Sequence, residues 1–250
     1  MYDLTSKAVV VTGGSRGLGR GIVEALAARG ARVTVLARDR ESLATVEQLG
    51  VAVRAGDASD PAVMDEVLAD VKPAALVLNA GATPVMGALD QLDWNAFSVV
   101  WDNDVKAGLH GIQAALKTPL PPGSRVLVAS SGAAMVGAKL SGSYAGAKRM
   151  LWFMADDAND LAKERGLDIR FQALVPLQMI GDTAIVREVC DGYGRRLGIG
   201  GDAYRAQKIP LPMSERAYGD YVATLLTDPQ YADGIAYGFT MRSGITSLDR

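Results

Sequence analysis

The chain has 250 residues, 49% of them hydrophobic, and its 26 basic and 28 acidic side chains leave a formal net charge of −2. That length suits one sizeable core, so a single domain over 1–250 is expected. The charges form neither a basic stripe nor an acidic tail, which argues against nucleic acid or a membrane surface as partner and favours a small molecule.

The N-terminal "MYDLTSKAVVVTGG" carries Asp3 ahead of its glycines. No apolar run along the chain approaches the roughly 18 residues that cross a bilayer, so a cytoplasmic protein is expected. "AVVVT" (8–12) reads as the first strand, and "LGRGIVEALAARG" as a helix with Gly30 at its C-cap. "RVTVLA" (32–37) and "VAVRAGD" (51–57) read as the second and third strands. "DPAVMDEVLADV" begins a helix with Asp60 as N-cap and Pro61 at its first position.

"AALVLNAG" (74–81) is the fourth strand, followed by helical stretches. One of these, "AGLHGIQAAL", holds the chain's one histidine, His110, for which a structural role is expected. "RVLVASS" (125–131) and "IRFQALVP" (169–176) are strands five and six, and "SYAGAKRM" opens a helix between them. From 181 to 212 glycines and prolines accumulate without a clear strand, which predicts an irregular lid over a binding site. "IAYGFT" (235–240) is the last predicted strand. Strands that are apolar nearly throughout are covered on both faces, and their alternation with helices predicts an α/β, doubly wound parallel sheet of the Rossmann type. Right-handed crossovers then put a ligand at the carboxyl ends of the strands.

The chemistry is bounded by what the chain lacks. One cysteine, Cys190, excludes an internal disulfide and a cysteine zinc cluster, and one histidine excludes any metal site needing two imidazoles. No metal is expected. The first strand instead runs into "TGGSRGLGRG", with Gly13, Gly17 and Gly19 spaced by Ser15, Arg16 and Leu18. Such glycines let a backbone approach a pyrophosphate at a helix N-terminus, where free amides favour anions. At the end of strand two stand Ala37 and Arg38. A carboxylate there would hold a ribose 2′-hydroxyl, whereas Arg38 and Arg16 suit a 2′-phosphate. NADP is therefore favoured, with NAD as the alternative that Asp39 represents.

Tyr144 and Lys148 are four residues apart and share one helical face, and Ser131 lies thirteen residues before Tyr144 at the edge of strand five. Hydride arriving at a carbonyl carbon leaves charge on oxygen, which needs a proton and a donor. A tyrosine is a poor base near neutrality, but a neighbouring ammonium favours its phenolate. Tyr144 is thus the candidate general acid/base, Lys148 its activator and Ser131 the group that orients the substrate oxygen.

These residues resemble the short-chain dehydrogenase/reductase family over most of the chain. "TGGSRGLG" is similar to its cofactor loop, Asp57-Ala58 to its adenine contact, Asn79-Ala80-Gly81 to its motif after strand four, and Ser131, Tyr144 and Lys148 to its catalytic set. The resemblance implies about seven strands, NAD(P)-dependent alcohol/carbonyl chemistry, Pro176 beside the cofactor, Lys148 on its ribose, and a homodimer or homotetramer packed through long helices. "MLWFM" (150–154) is a candidate part of that interface.

Two departures stand out. The family's relay asparagine aligns with Asp104, while Asn103 falls one position early, and neighbours on a helix point about 100° apart. After strand six, Leu177 replaces a glycine and Thr183 comes two positions late. The expected function is an NADP(H)-dependent oxidoreductase acting on a ketone, aldehyde or alcohol. A non-catalytic NAD(P)-binding redox sensor is the alternative, and a methyltransferase fits poorly because it leaves the Ser-Tyr-Lys spacing unexplained. The small apolar residues after strands four and five point to an unphosphorylated substrate.

Overall fold

A computed structural model describes residues 3–118, 120–209 and 212–249, so positions 210 and 211 of the expected lid lie outside the described residues. Its first half alternates β1 (Ala8–Thr12), α1 (Gly17–Ala27), β2 (Arg32–Ala37), α2 (Arg40–Glu47), β3 (Ala52–Ala55), α3 (Pro61–Val71) and β4 (Ala75–Leu78). Asp60 caps α3 by accepting from the Ala62 N–H at 2.9 Å, with Pro61 behind it as expected. α1 stops at Ala27, two residues earlier than a Gly30 cap requires, and Gly30 takes a positive φ of 77° in the turn that follows.

α4 (Trp94–Val100) passes through a π-helical turn at Trp101–Val105 into α5 (Lys106–Lys117). β5 (Ser124–Ala129), a short α6 (Ala133–Val136), α7 (Gly142–Glu164) and β6 (Ile169–Pro176) follow. The chain closes with α8 (Ala184–Leu197), α9 (Gly201–Lys208), α10 (Glu215–Thr227), β7 (Ala236–Thr240) and β8 (Gly244–Ser247).

The strands form one sheet in the order β3-β2-β1-β4-β5-β6-β7-β8. Its pairs are parallel through β7, and β7 pairs with β8 antiparallel. Because successive side chains point to opposite faces, Val9 and Val11 enter one core with Ile22, Leu26, Tyr218 and Phe239. Val10 enters the other with Leu76, Val126, Leu151 and Phe171. The order reverses between β1 and β4, and this switch point opens the crevice at the carboxyl ends.

The expected parallel sheet is found, with eight strands among the described residues, because Gly244–Ser247 folds back as a hairpin partner too short and too half-exposed to show a pattern. One expectation needs correction: the segment expected as the lid is not irregular, its described part being mostly the helices α8 and α9. Its glycines serve those helices, with Gly198 at a φ of 69° ending α8 and Gly192 leaving room for Met86. Among the described residues, no helix is long and apolar enough to cross a membrane.

Candidate active site

The cleft at the switch point has a volume of about 610 Å³. It brings together the expected cofactor-contacting residues: Gly13 and Ser15 through Gly19 after β1, Arg38 after β2, Asp57 and Ala58 after β3, Asn79 to Gly81 after β4, and Pro176. Tyr144 and Lys148 of α7 line the same cleft, as do Asn103 and Asp104.

The glycine loop is seated on the end of β4. The Thr12 hydroxyl accepts from the Asn79 and Ala80 N–H groups at 3.0 Å each, and the Asn79 side-chain amide donates to the Thr12 and Gly13 carbonyls at 3.3 and 3.4 Å. Gly13 has a φ of 66°, and a Cβ there would stand 2.8 Å from the Ala80 Cα. At Gly19 a Cβ would collide with the Gly13 carbonyl oxygen. The glycines therefore let the loop close tightly on itself and on the end of β4, and α1 starts there with no side chain capping it, so its free amides fit the diphosphate of a dinucleotide.

At the end of the cleft beyond β2, Arg38 is 60% exposed, donates to Asn103 Oδ1 at 3.2 Å and lies 3.7 Å from Asp57. Burial pushes the Asp57 carboxyl up, but hydrogen bonds from Ser59 and the charges of Arg38 and Lys106 outweigh it and hold the group below the usual carboxylate range. Asp39 lines the cleft too, yet its carboxylate caps α2 by accepting from the Glu41 and Ser42 N–H groups. Hydrogen bonds from Ser42 hold it low.

The π-helical turn decides which neighbour meets Lys148. One extra residue in the turn lets Asn103 and Asp104 serve different partners. Asn103 bonds to the Val99 carbonyl and to Arg38, whereas Asp104, with a side chain 0% exposed, stands 3.0 Å from Lys148 Nζ. Its Oδ1 accepts from the Ala82 N–H at 2.7 Å, and the carboxylate lies flat on Gly81, where a Cβ would be 2.8 Å from Oδ2. Oδ2 makes no aligned hydrogen bond, so its contact with the ammonium is ionic. Lys148 also donates to the Ala129 carbonyl at 3.2 Å and lies 5.6 Å from the centre of the Tyr144 ring. Burial alone would lower its pKa, but the Asp104 and Tyr144 charges raise it above the ordinary lysine value.

Ser131 lies just beyond β5, half-buried, with its hydroxyl accepting from the Ala133 N–H at 3.2 Å. The residues of this stretch that line the cleft are Ala129 and Ser130, and Ser130 donates to the Lys148 carbonyl at 2.8 Å. Thr183 reaches the cleft despite its late position. The segment before it bridges Ile180 to Met213 and turns back over the loop, leaving the Thr183 methyl 3.7 Å from the point a Gly17 Cβ would occupy.

Asp182, just before α8, and Arg187, within it, line the cleft from the stretch expected as a lid, whereas the lining residues Glu215 and Tyr218 of α10 had no signal in the sequence. α10 is carried there by tight packing on α1, where a Cβ on Gly21 or Gly219 would collide with the facing backbone. Tyr218 is 1% exposed, and burial, with a smaller contribution from Tyr144, pushes its phenol far above the usual value. His110 lies away from this cleft, with Nδ1 2.7 Å from the Ser59 carbonyl oxygen.

Comparison with known proteins agrees with this geometry. The family model for short chain dehydrogenase matches residues 7–192. The cis-1,2-dihydrobenzene-1,2-diol dehydrogenase of Pseudomonas putida is 31% identical over 191 residues, covering 71% of this chain and 68% of that protein. The cis-2,3-dihydrobiphenyl-2,3-diol dehydrogenase of Rhodococcus globerulus is 33% identical over 189 residues, 69% and 65% respectively. A crystal structure of a short-chain dehydrogenase/reductase, glucose/ribitol dehydrogenase, from Brucella melitensis superposes with a TM-score of 0.74 at 19% identity, over 95% of this chain and 97% of that one. With the cleft, the order of its motifs and these matches in agreement, the chain belongs to the short-chain dehydrogenase family.

Proposed function

We propose that this oxidoreductase is NADP(H)-dependent and interconverts a ketone or aldehyde with the corresponding alcohol. The observation that carries the reading is the convergence of Tyr144 and Lys148 with the glycine cradle in one cleft. The bound dinucleotide supplies or accepts the hydride. Tyr144 gives its phenolic proton to the substrate oxygen during reduction and takes it back during oxidation. Lys148, held charged by Asp104 despite its burial, favours the phenolate that this exchange requires. Ser131 orients the substrate oxygen from the end of β5, and Asp104 is a positioning residue acting through Lys148.

Arg38 and Arg16 favour a 2′-phosphate, and the employment of Asp39 as a helix cap supports NADP over NAD. The segment 181–212 acts as the substrate lid. Exposed Leu109 on α5 and Phe153 on α7 support a homodimer or homotetramer packed through those helices. The dihydrodiol dehydrogenases among its relatives make cyclic vicinal diols one substrate class worth testing.

The test is a panel of ketones, aldehydes, alcohols and cis-dihydrodiols followed by nicotinamide absorbance, with Tyr144→Phe beside the wild type. Turnover should fall by about 10²–10⁴-fold in the variant while the cofactor dissociation constant stays the same. Cofactor binding without turnover anywhere on the panel would overturn the enzyme in favour of a redox sensor.

A further inference from the structure

α8 begins where the chain passes back over the glycine loop. Thr183 caps it, accepting from the Val186 N–H at 3.3 Å. One turn further, Arg187 lines the same cleft as Ser15 and Gly17. Its side chain is 65% exposed, and among the described residues its polar partner is Asp182. Nη2 lies 3.0 Å from the Asp182 carboxylate and donates to the Asp182 carbonyl, also at 3.0 Å.

Asp182 does not depend on that contact. Arg205 of α9 donates to its other carboxylate oxygen and to the Gly181 carbonyl. Two guanidinium groups thus share one carboxylate at the base of α8, and one of them faces the cleft. Among the other cations of the cleft, Lys148 is paired with Asp104 and Arg38 reaches Asn103 and Asp57. Arg16 forms no ion pair among the described residues, and the cofactor reading above assigns it to the 2′-phosphate. Glu215 lines the cleft against Gly181 and would repel an anion there, which makes an opposing cation more necessary.

We infer that Arg187 binds the diphosphate of the dinucleotide, exchanging Asp182 for it as the cofactor enters, while Arg205 keeps Asp182 neutralised. The exchange is favourable because an exposed ion pair contributes little, whereas a guanidinium on phosphate forms a forked, charge-assisted contact. It also couples the two halves of the cleft. A diphosphate between them tethers α8 to the glycine loop that it already faces.

The inference rests on the cofactor reading above, and the experiment separates the two. NADPH and NADH are titrated by calorimetry into the full chain, its Arg187→Gln variant and its Asp182→Asn variant. Arg187→Gln should weaken both nucleotides by the same factor, about tenfold, because the diphosphate is common to them. Asp182→Asn should leave their binding unchanged or tighter, since it removes the competitor. A lid brace without a cofactor role predicts instead that both variants weaken binding alike, and that result would overturn the assignment. So would unchanged binding in Arg187→Gln, or a loss confined to NADPH. A wild-type chain that binds neither nucleotide overturns the cofactor reading, and this inference with it.

Discussion

Arg38 and Asp39 both line the cleft, but the Asp39 carboxylate is held at the N-terminus of α2 by the Glu41 and Ser42 N–H groups. The two charges that compete in the sequence are therefore distinguished by what each one bonds to. Arg38→Asp should weaken NADPH by about tenfold more than NADH, since a forked contact to phosphate is lost and a like charge is added. Equal losses in fluorescence titrations of the two nucleotides would contradict the assignment. At this scale the sequence was highly legible. The glycine loop, Asn79 to Gly81, and the Tyr144–Lys148 spacing are local patterns, and each is found at the cleft. Glu215 and Tyr218 were not legible, because no local pattern says which distant helix a cleft will borrow.

Among the elements, the π-helical turn at Trp101–Val105 explains why Asp104 rather than Asn103 meets Lys148. A regular helix would have kept the question open, since the sequence fixes the spacing of the pair but not the extra residue in the turn. In Asp104→Asn the amide oxygen can still accept from the Lys148 ammonium and keep it protonated, while the negative charge that opposes its field on Tyr144 is gone, so the phenolate forms more readily. The pH optimum of turnover should then move downward with activity retained, and an upward move would count against this account. Asp104→Ala is a harsher change, leaving a buried ammonium unpaired at a cost of about 3–5 kcal/mol. The folded-state pKa of Lys148 is raised, so the stability this pair contributes is fully present below the unfolded lysine value, near pH ~10.4, and is lost as pH rises through the higher folded value. Denaturant melts near neutrality should thus show the full penalty. The segment expected as a lid misleads at this same scale: glycines that look like breakers end α8 or make room within it.

For the whole molecule, the alternation of strands and helices made the parallel sheet and its switch point legible from periodicity alone. The eighth strand was hidden because pairing across a tight turn leaves little hydrophobic pattern in four half-exposed residues. A ligand that binds only the folded chain adds stability by mass action. NADPH at a hundred times its dissociation constant should add about 2.7 kcal/mol, which for a chain of this length raises the melting temperature by roughly 5–10 °C. No shift in a thermal melt would argue against the cofactor.

The strand order also bears on how the chain reaches its native state. β7 and β8 can meet across a short turn, but every other neighbouring pair is parallel and waits for an intervening crossover. Closing those long loops costs entropy before any contact repays it, so folding is governed by non-local encounters. The cleft inherits that timing, because its walls run from Gly13 to Tyr218 and need β1, β4, β5 and β6 aligned together. A growing or half-folded chain exposes the glycine loop long before α8 and α10 exist to face it. Tight nucleotide binding therefore reports a finished fold, and the nucleotide can act as a clasp on the last elements to arrive.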